Sequence, residues 1–245
     1  MIVNYPRMRR RAAWPSDLDT ALEFASPEVF SISAPKNWDG KIEYTNGSGW
    51  KEWDGSEITS GEIGSNHYIY LRGTGNSKIT GRNSNSVKWS TIGTNIACNG
   101  NIDLLLDYAT VKSGNHPAMA SFCYIYMFSG CTSLTTAPAL PATMLANYCY
   151  AHMFRGCTSL TTAPSLPATT LANYCYNSMF NGCTKIKLST TVSGTYTKAY
   201  RIPKSGTGIT ASNALNNMFS NTGGTFKGTP TINTTYYLDK SNTIV

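Results

Sequence analysis

The spacing of hydrophobic and polar residues changes midway along this chain. From Val29 to Trp89, short runs alternate apolar with polar residues, as half-buried strands do. These runs read VFSISAP, KIEYTNGSGWKEW, HYIYLRG and SVKWSTI. The turn-forming pairs between them are Asn46-Gly47, Asp54-Gly55 and Gly75-Asn76. The pattern predicts a small antiparallel β-sandwich of immunoglobulin-like type.

A 26-residue repeat dominates the next part of the chain. CYIYMFSGCTSLTTAPALPATMLANY (123–148) is followed by CYAHMFRGCTSLTTAPSLPATTLANY (149–174), and the two copies differ at five positions. A third copy opens with CYNSMFNGCT at Cys175 and then diverges. Met218-Phe219 follows Met179-Phe180 after 39 residues instead of 26. A fixed period of this length is typical of stacked copies that bury their faces against one another.

Within one copy, the spacing predicts a short helix followed by a short strand. The helical stripe consists of Leu145, Tyr148, Cys149 and Met153. Thr143 can cap this helix and Gly156 can end it. CTSLTTA is rich in β-forming residues and Pro164 stops it. One strand and one helix per copy indicate a leucine-rich-repeat solenoid.

The predicted fold class is therefore α+β or β: a small antiparallel β-sandwich followed by a short leucine-rich-repeat solenoid. In NIACNGNIDLLLDY, Ile96 and Cys98 suggest a strand, and IDLLLDY suggests a short buried helix or strand that caps the stack. The predicted segments are a basic arm and linker (1–28), the sandwich (29–93), the N-terminal cap (94–122), the repeats (123–200), and a diverged coil with a C-terminal cap (201–245).

The charge distribution bears on chemistry. The chain has a net charge of +7, yet residues 1–107 hold 11 Lys/Arg against 12 Asp/Glu. From Tyr108 to Leu238 there are eight Lys/Arg and no carboxylate side chain. That region cannot contain a paired-carboxylate glycosidase site, the acid of a Ser-His-Asp relay, or a carboxylate cage for calcium. We predict a non-enzymatic protein without a cofactor.

The seven cysteines are Cys98 and six that are locked to the repeat. Their C-x7-C spacing differs from the C-x2-C of zinc sites, and the chain is too long and Cys-poor for a disulfide scaffold. We therefore expect small buried residues forming ladders between copies, with metal or disulfide chemistry as the alternative. His67, His116 and His152 are scattered, and no metal site is predicted.

Two sets of residues are candidates for partner binding. Positions that differ between copies are expected to face solvent, because stacked core positions must keep their shape; neutral surface drift is the alternative. These candidates are Tyr126, Ser129, His152, Arg155, Ser178 and Asn181. The second set is an arginine cluster that is either a solvated tail or an arm that docks on an acidic partner. It comprises Arg7, Arg9, Arg10 and Arg11, too few to predict nucleic-acid recognition.

Aromatic residues in the predicted sandwich raise a further possibility. Trp38, Trp50, Trp53 and Trp89 fit core packing, or alternatively stacking on a sugar.

No apolar run approaches the roughly 20 residues that span a bilayer, so membrane insertion is not expected. The N-terminal residues also lack the apolar segment of a signal peptide.

The motif MF-x-GCTSLTTAP-x-LPAT, across residues 123–184, resembles the BspA-like leucine-rich repeat of surface and adhesion proteins in gut bacteria and their phages. The resemblance implies non-catalytic binding to host or matrix proteins, glycans or other particles. We predict a bacteriophage virion component, such as a head or tail decoration, fibre-associated or receptor-binding subunit. It would join other virion proteins or a host-surface protein or glycan, as a homo-oligomer or in a symmetric assembly. The alternative is a secreted surface adhesin or glycan-binding module.

Overall fold

The computed structural model describes residues 14–81 and 86–245. The four candidate docking arginines, Arg7, Arg9, Arg10 and Arg11, lie outside these residues. A short 3-10 helix, Leu18–Thr20, precedes the first strand. The strands and helix are β1 Leu22–Ser26, β2 Ser31–Ser33, β3 Lys41–Thr45, β4 Lys51–Glu52, β5 Ile58–Thr59, β6 Gly61–Ile63, β7 Asn66–Thr74, β8 Ser90–Ile92, β9 Ile96–Asn99, α1 Leu104–Lys112, β10 Leu134–Thr136, β11 Thr162–Ala163, β12 Leu188–Ser189, β13 Tyr196–Arg201, β14 Thr235–Asp239 and β15 Thr243–Ile244.

The largest sheet has seven strands and extends beyond the predicted sandwich. Its order is β10-β9-β1-β7-β3-β4, and β6 also pairs with β7. β1 lies between β7 and β9, although the sequence predicted only a linker there. All pairs are antiparallel except β9 with β10, which run parallel. The sheet therefore takes its last strand from the first repeat copy.

A second sheet, β5-β2-β8, completes a partial sandwich. Between the strands, Trp53 stacks on Trp38 with ring centroids 5.2 Å apart and meets Trp89 edge-on at 5.2 Å. All three indoles are at most 6% exposed. The two-sheet prediction thus fits in part, and β2, β3, β4, β7 and β8 lie in the alternating runs that predicted strands.

Helix α1 packs against β7, and a glycine permits the close approach. Leu104, Leu105 and Leu106 are buried on this helix. A Cβ atom at Gly73 in β7 would lie 1.6 Å from the carbonyl oxygen of Leu105. The buried amide of Asn76 donates to the same oxygen over 2.9 Å, so backbone and side chain fix the helix on the sheet.

The predicted leucine-rich-repeat solenoid is wrong. The fold is mostly β, with several mixed or antiparallel sheets, and the single α-helix of the described ranges, α1, precedes the repeat. Where a helix was predicted in each copy, the chain forms consecutive hydrogen-bonded turns. The short strands of the copies pair outside the repeat: β10 with β9, and β11 with β15.

These turns have a four-residue period rather than a helical one. Every fourth residue has a left-handed backbone, with φ between 52° and 84°. The positions concerned are 122, 126 and 130 in the first copy, then 148, 152 and 156, then 174, 178 and 182, then 213, 217 and 221. An α-helix cannot contain such residues, because left-handed φ breaks its i to i−4 hydrogen bonding.

Backbone hydrogen bonds join each set of turns to the next. The N–H groups of residues 122, 124, 126, 128 and 130 donate to the carbonyls of residues 147, 149, 151, 153 and 155 over 2.8–3.0 Å. The pattern recurs between the second and third copies and between the third copy and residues 212–220. Intervening N–H groups donate three residues back within their own copy, such as Met127 to Tyr124 at 3.2 Å. These bonds satisfy the backbone of the buried segments without a helix.

Aromatic and cysteine side chains fill the interior of the stack. Phe128, Phe154, Phe180 and Phe219 form one column with centroid separations of 5.4–5.8 Å. Phe128 also meets Trp89 at 6.0 Å, so the stack and the N-terminal sheets share one core. Met218-Phe219 therefore occupies the position of Met179-Phe180 in a fourth set of turns. The residues inserted before it form β12 and β13, which flank β14 in a three-stranded antiparallel sheet.

Candidate functional site on the edge of the stacked turns

The outer edge of the stacked turns carries two columns of partly exposed rings. Phe122, Tyr148 and Tyr174 form the first column, with centroids 4.8 and 4.5 Å apart. Tyr126 and His152 form the second, with centroids 4.3 Å apart and ring planes within 3° of parallel. We call these five residues the aromatic edge. All five have left-handed backbones, which place them on the rim while the three residues between 122 and 126 are buried.

The spacing of the rings follows from the backbone. Successive copies are hydrogen-bonded like neighbouring strands, which lie about 4.8 Å apart, so equivalent rings stack face to face. Left-handed φ costs a tyrosine or phenylalanine about 1–2 kcal/mol, and stacking between copies helps to offset that cost. The column of Tyr174 continues to Asn213, whose amide donates to the Tyr174 hydroxyl over 2.8 Å.

This geometry determines what the aromatic edge can recognise. Each ring of a column has one face covered by a stacked neighbour, and Tyr148 has both faces covered, so ring edges and polar groups form much of the surface left for a partner. Stacking a sugar on the face of Tyr148 is therefore prevented, because Phe122 and Tyr174 occupy its two sides. The surface suits apolar contact and hydrogen bonding by tyrosine hydroxyls, as protein interfaces use tyrosine.

The six candidate residues from copy-to-copy differences occupy two equivalent positions on successive turns. Tyr126, His152 and Ser178 share the second column, and Ser129, Arg155 and Asn181 share a position three residues later. Arg155 is exposed, while Tyr126, His152 and Asn181 are half-buried. Ser178 and Ser129 are only 6% and 7% exposed, so the prediction that these slots face solvent is wrong for both serines. Small side chains at these positions are covered by the copies that stack around them.

His152 is uncharged near neutral pH. Burial, with a smaller contribution from the positive charge of Arg155, lowers the pKa of the His152 imidazole to about 4. Its Nδ1 atom is buried without a hydrogen-bond partner in the described structure. The ring therefore contributes to the edge as a flat, neutral surface stacked on Tyr126, with the cation supplied by exposed Arg155.

Comparison of the copies missed the first ring column. Tyr148 and Tyr174 are identical between copies and were therefore treated as core positions. The available signal was the spacing: Tyr148 precedes His152 by four residues, and Tyr174 precedes Ser178 by four residues. It matches the spacing of Asn213, Asn217 and Asn221, a residue type that tolerates left-handed φ.

The structure overturns sugar stacking on the buried tryptophans. Trp38, Trp53 and Trp89 are core residues. Trp50 contacts the guanidinium of Arg72, whose central carbon lies 4.0 Å from the Trp50 ring centroid and 4.5 Å from the Tyr108 ring centroid. Arg72 also pairs with Asp17 at 2.5 Å, so Trp50 belongs to a structural charge cluster.

The cysteines are buried and free, as expected for ladder residues. The thiols of Cys157 and Cys183 donate to the carbonyls of Phe128 and Phe154, each over 3.0 Å. Burial raises the pKa of Cys175 to about 12, so its reactive thiolate is disfavoured. Among the described residues, no group of three His, Cys, Asp or Glu side chains could hold a metal ion.

A groove beside His116 is a second candidate site. It has a volume of about 450 Å³ and is lined mainly by apolar groups, including Met119, Met144 and Leu145. His116 Nδ1 lies 3.3 Å from Asp103 Oδ2, and Asp103 is 1% exposed. Burial raises the pKa of Asp103, while His116 acts in the opposite direction. A histidine–carboxylate pair can orient an imidazole, but no described contact joins this imidazole to a nucleophilic hydroxyl or thiol.

The described helix is neither long nor apolar enough to cross a membrane.

Searches of protein-family descriptions, curated proteins and solved structures found no significant match to this chain. The BspA-like resemblance therefore stays a prediction that rests on the repeated motif.

Proposed function

We propose that the chain is a non-enzymatic structural and binding protein of a bacteriophage virion. Its aromatic edge, together with Arg155, would contact another virion protein or a host-surface protein or glycan. The observation that carries the proposal is the rigid row of partly exposed aromatic rings beside an exposed arginine. Tyrosine, phenylalanine and arginine are enriched at protein interfaces, and tyrosine and arginine are frequent hot spots.

Preorganisation supports a binding role for this edge. Each ring stacks on a ring of a neighbouring copy, and the backbone N–H of each of the five residues donates to the next set of turns. Immobilising a side chain during association costs about 0.5–1.5 kcal/mol, and rings already fixed in place avoid most of that cost. The edge can therefore bind with little rearrangement.

Charge favours an acidic partner. The repeat copies contribute Arg155 to the edge, and residues 108–238 offer no carboxylate to neutralise it. Complementary charges speed encounter and fix orientation more than they add affinity. Arg7, Arg9, Arg10 and Arg11 would serve as a second docking element on an acidic neighbouring subunit in a symmetric assembly.

The proposal predicts that the protein co-purifies with phage particles. Particles are induced from the bacterium that carries the gene and banded on a density gradient, and an antibody against this chain is used to follow it. We expect the protein in the particle band at a fixed ratio to the major capsid protein. A protein found on the cell surface or in the medium, and not in particles, would instead support the secreted adhesin or glycan-binding alternative.

A pair of charge reversals tests the edge itself. Arg155→Glu is expected to reduce incorporation, or attachment of particles to cells, about tenfold, which corresponds to a loss of about 1.4 kcal/mol. Lys227→Glu makes the same charge change at another exposed residue and is expected to have little effect. Equal losses in both variants would show that net charge matters and that the edge does not.

A further inference from the structure

A separate cationic pocket lies beside the C-terminal sheet, away from the residues of the aromatic edge. It has a volume of about 220 Å³ and is lined by Arg201, Lys204, Ser165 and Thr235, among others. We propose that this pocket binds a sulfate or phosphate group carried by a larger ligand. This site is additional to the proposed function and does not depend on it.

The elements around the pocket hold its polar groups in place. Arg201 ends β13 and is the cross-strand partner of Thr235, the first residue of β14. The guanidinium of Arg201 is oriented by two hydrogen bonds, from Nη1 to the Pro203 carbonyl at 3.0 Å and from Nη2 to Asn233 Oδ1 at 3.1 Å. Within the described part of the chain, the other three of its five N–H groups have no hydrogen-bond acceptor and are available to a ligand.

A backbone hydrogen bond holds Lys204 beside the segment that contains Ser165. The N–H of Lys204 donates to the Leu166 carbonyl over 2.9 Å, which ties Lys204 to the segment that carries Ser165. Among the described residues, the hydroxyls of Ser165 and Thr235 have no hydrogen-bond partner, and the Lys204 ammonium has no carboxylate partner. Two cations and two hydroxyl donors around one pocket match the four oxygens of a tetrahedral oxyanion.

The local charge balance selects for an anion. No Asp or Glu occurs between Tyr108 and Leu238, so these cations lack a carboxylate within their own part of the sequence. Asp239, at the opposite end of β14 from Thr235, accepts hydrogen bonds from Ser241 and Thr195. An anion that enters the pocket therefore meets the positive charges of Arg201 and Lys204, with no Asp or Glu side chain among the residues that line the pocket. The backbone oxygen of Val245 accepts a hydrogen bond from the Ser165 N–H over 2.7 Å and occupies that donor.

The size of the surroundings indicates a ligand larger than a free ion. A water molecule occupies about 30 Å³ of liquid, so the pocket has room for an oxyanion and its point of attachment. Ser165 and Lys204 also line an adjoining groove of about 340 Å³, whose walls include Leu140, Pro141 and Pro167. The groove offers apolar contact to the organic part of a sulfate or phosphate ester, such as a modified sugar.

Titration of the full chain with three sugars tests the proposal. Galactose 6-sulfate, galactose 6-phosphate and unmodified galactose are added at low salt while amide chemical shifts are recorded. We expect saturable shifts at Ser165, Lys204 and Thr235 with at least one ester and none with galactose. The two ester arms distinguish a sulfate site from a phosphate site. An absence of saturable binding by either ester would overturn the proposal.

Matched variants separate the pocket from general charge attraction. Lys204→Gln removes an exposed cation whose ammonium makes no hydrogen bond to any described residue, and it should weaken ester binding at least tenfold with the fold intact. Lys185→Gln removes an exposed cation outside the pocket and should leave binding unchanged. Arg155→Glu should also leave ester binding unchanged, which keeps this site distinguishable from the aromatic edge. Equal weakening by Lys204→Gln and Lys185→Gln would refute a defined pocket.

Discussion

Replacing Phe154 by alanine is expected to lower the free energy of unfolding by about 3–5 kcal/mol, the largest loss we predict for a side-chain truncation in this chain. Phe154 is fully buried in the central column, 5.8 Å from Phe128 and 5.7 Å from Phe180 between ring centroids. Removing it leaves a cavity between two rings that are hydrogen-bonded into their own copies. The stack cannot close this cavity without breaking the backbone bonds between copies.

Urea unfolding measures this loss, and two further variants make it interpretable. Met144→Ala truncates a side chain that is 85% exposed, so its effect should stay within about 0.5 kcal/mol. Phe154→Leu keeps most of the volume and should cost less than the alanine variant, which provides a folded sample if Phe154→Ala does not fold. Similar small losses for Phe154→Ala and Met144→Ala would contradict the stacked column.

Gly73→Ala is the second substitution with a large expected effect. The new Cβ would lie 1.6 Å from the Leu105 carbonyl oxygen and 2.3 Å from its carbon, and both atoms belong to the backbone of α1. A backbone cannot rotate out of the way as a side chain can, so α1 must move off β7. We expect a loss of about 3 kcal/mol or more, at the upper end of overpacking effects.

The consequence of Gly73→Ala should be concentrated at α1. Hydrogen exchange should show faster exchange of the helical amides, and urea unfolding should give the overall loss. Gly47→Ala is the matched control, since a Cβ there meets nothing within 4 Å and the backbone is not left-handed. Equal stability of the two variants would show that α1 does not lie this close to β7.

The N-terminal strands could be predicted because apolar and polar residues alternate along a strand that buries only one of its faces. The runs around Ile32, Ile42 and Ile69 alternate, and each of these side chains is buried in a strand. The central position of β1 could not be predicted, since Leu22 and Phe24 form too short an alternating pair to indicate which strands flank them. Pairing between distant strands depends on the whole sheet and leaves no local pattern.

The 26-residue period is evident in the sequence, but the helix and solenoid predicted from it were wrong. Apolar residues at Cys149, Met153 and Cys157 are four apart, which fits one face of a helix and also fits a four-residue turn. Two features favoured the turn: the glycine that ends each of the first three sets of turns, such as Gly156, and the asparagine series that includes Asn217. Both residue types adopt left-handed φ readily, and the four-residue spacing of Asn213, Asn217 and Asn221 distinguishes a turn from a helix.

The candidate edge was predictable only in part for a similar reason. Differences between copies led to His152 and Arg155, because variation indicates relaxed packing constraints. The same criterion hid Tyr148 and Tyr174, which are identical although partly exposed. Their identity has a physical reason in the structure, since two equal rings stack in parallel at 4.5 Å.

The most direct test of the stacked turns is the difference in unfolding free energy between Asn217→Gly and Asn217→Ala. Asn217 is exposed with φ of 54°, and its side chain accepts one hydrogen bond, from Ser220, which both variants lose. In a left-handed turn, glycine should be more stable than alanine by about 1 kcal/mol, because alanine carries the Cβ penalty. In a helix the order reverses, and alanine is favoured by about 1 kcal/mol. A more stable glycine variant supports the turn structure that forms the aromatic edge, and a more stable alanine variant contradicts it.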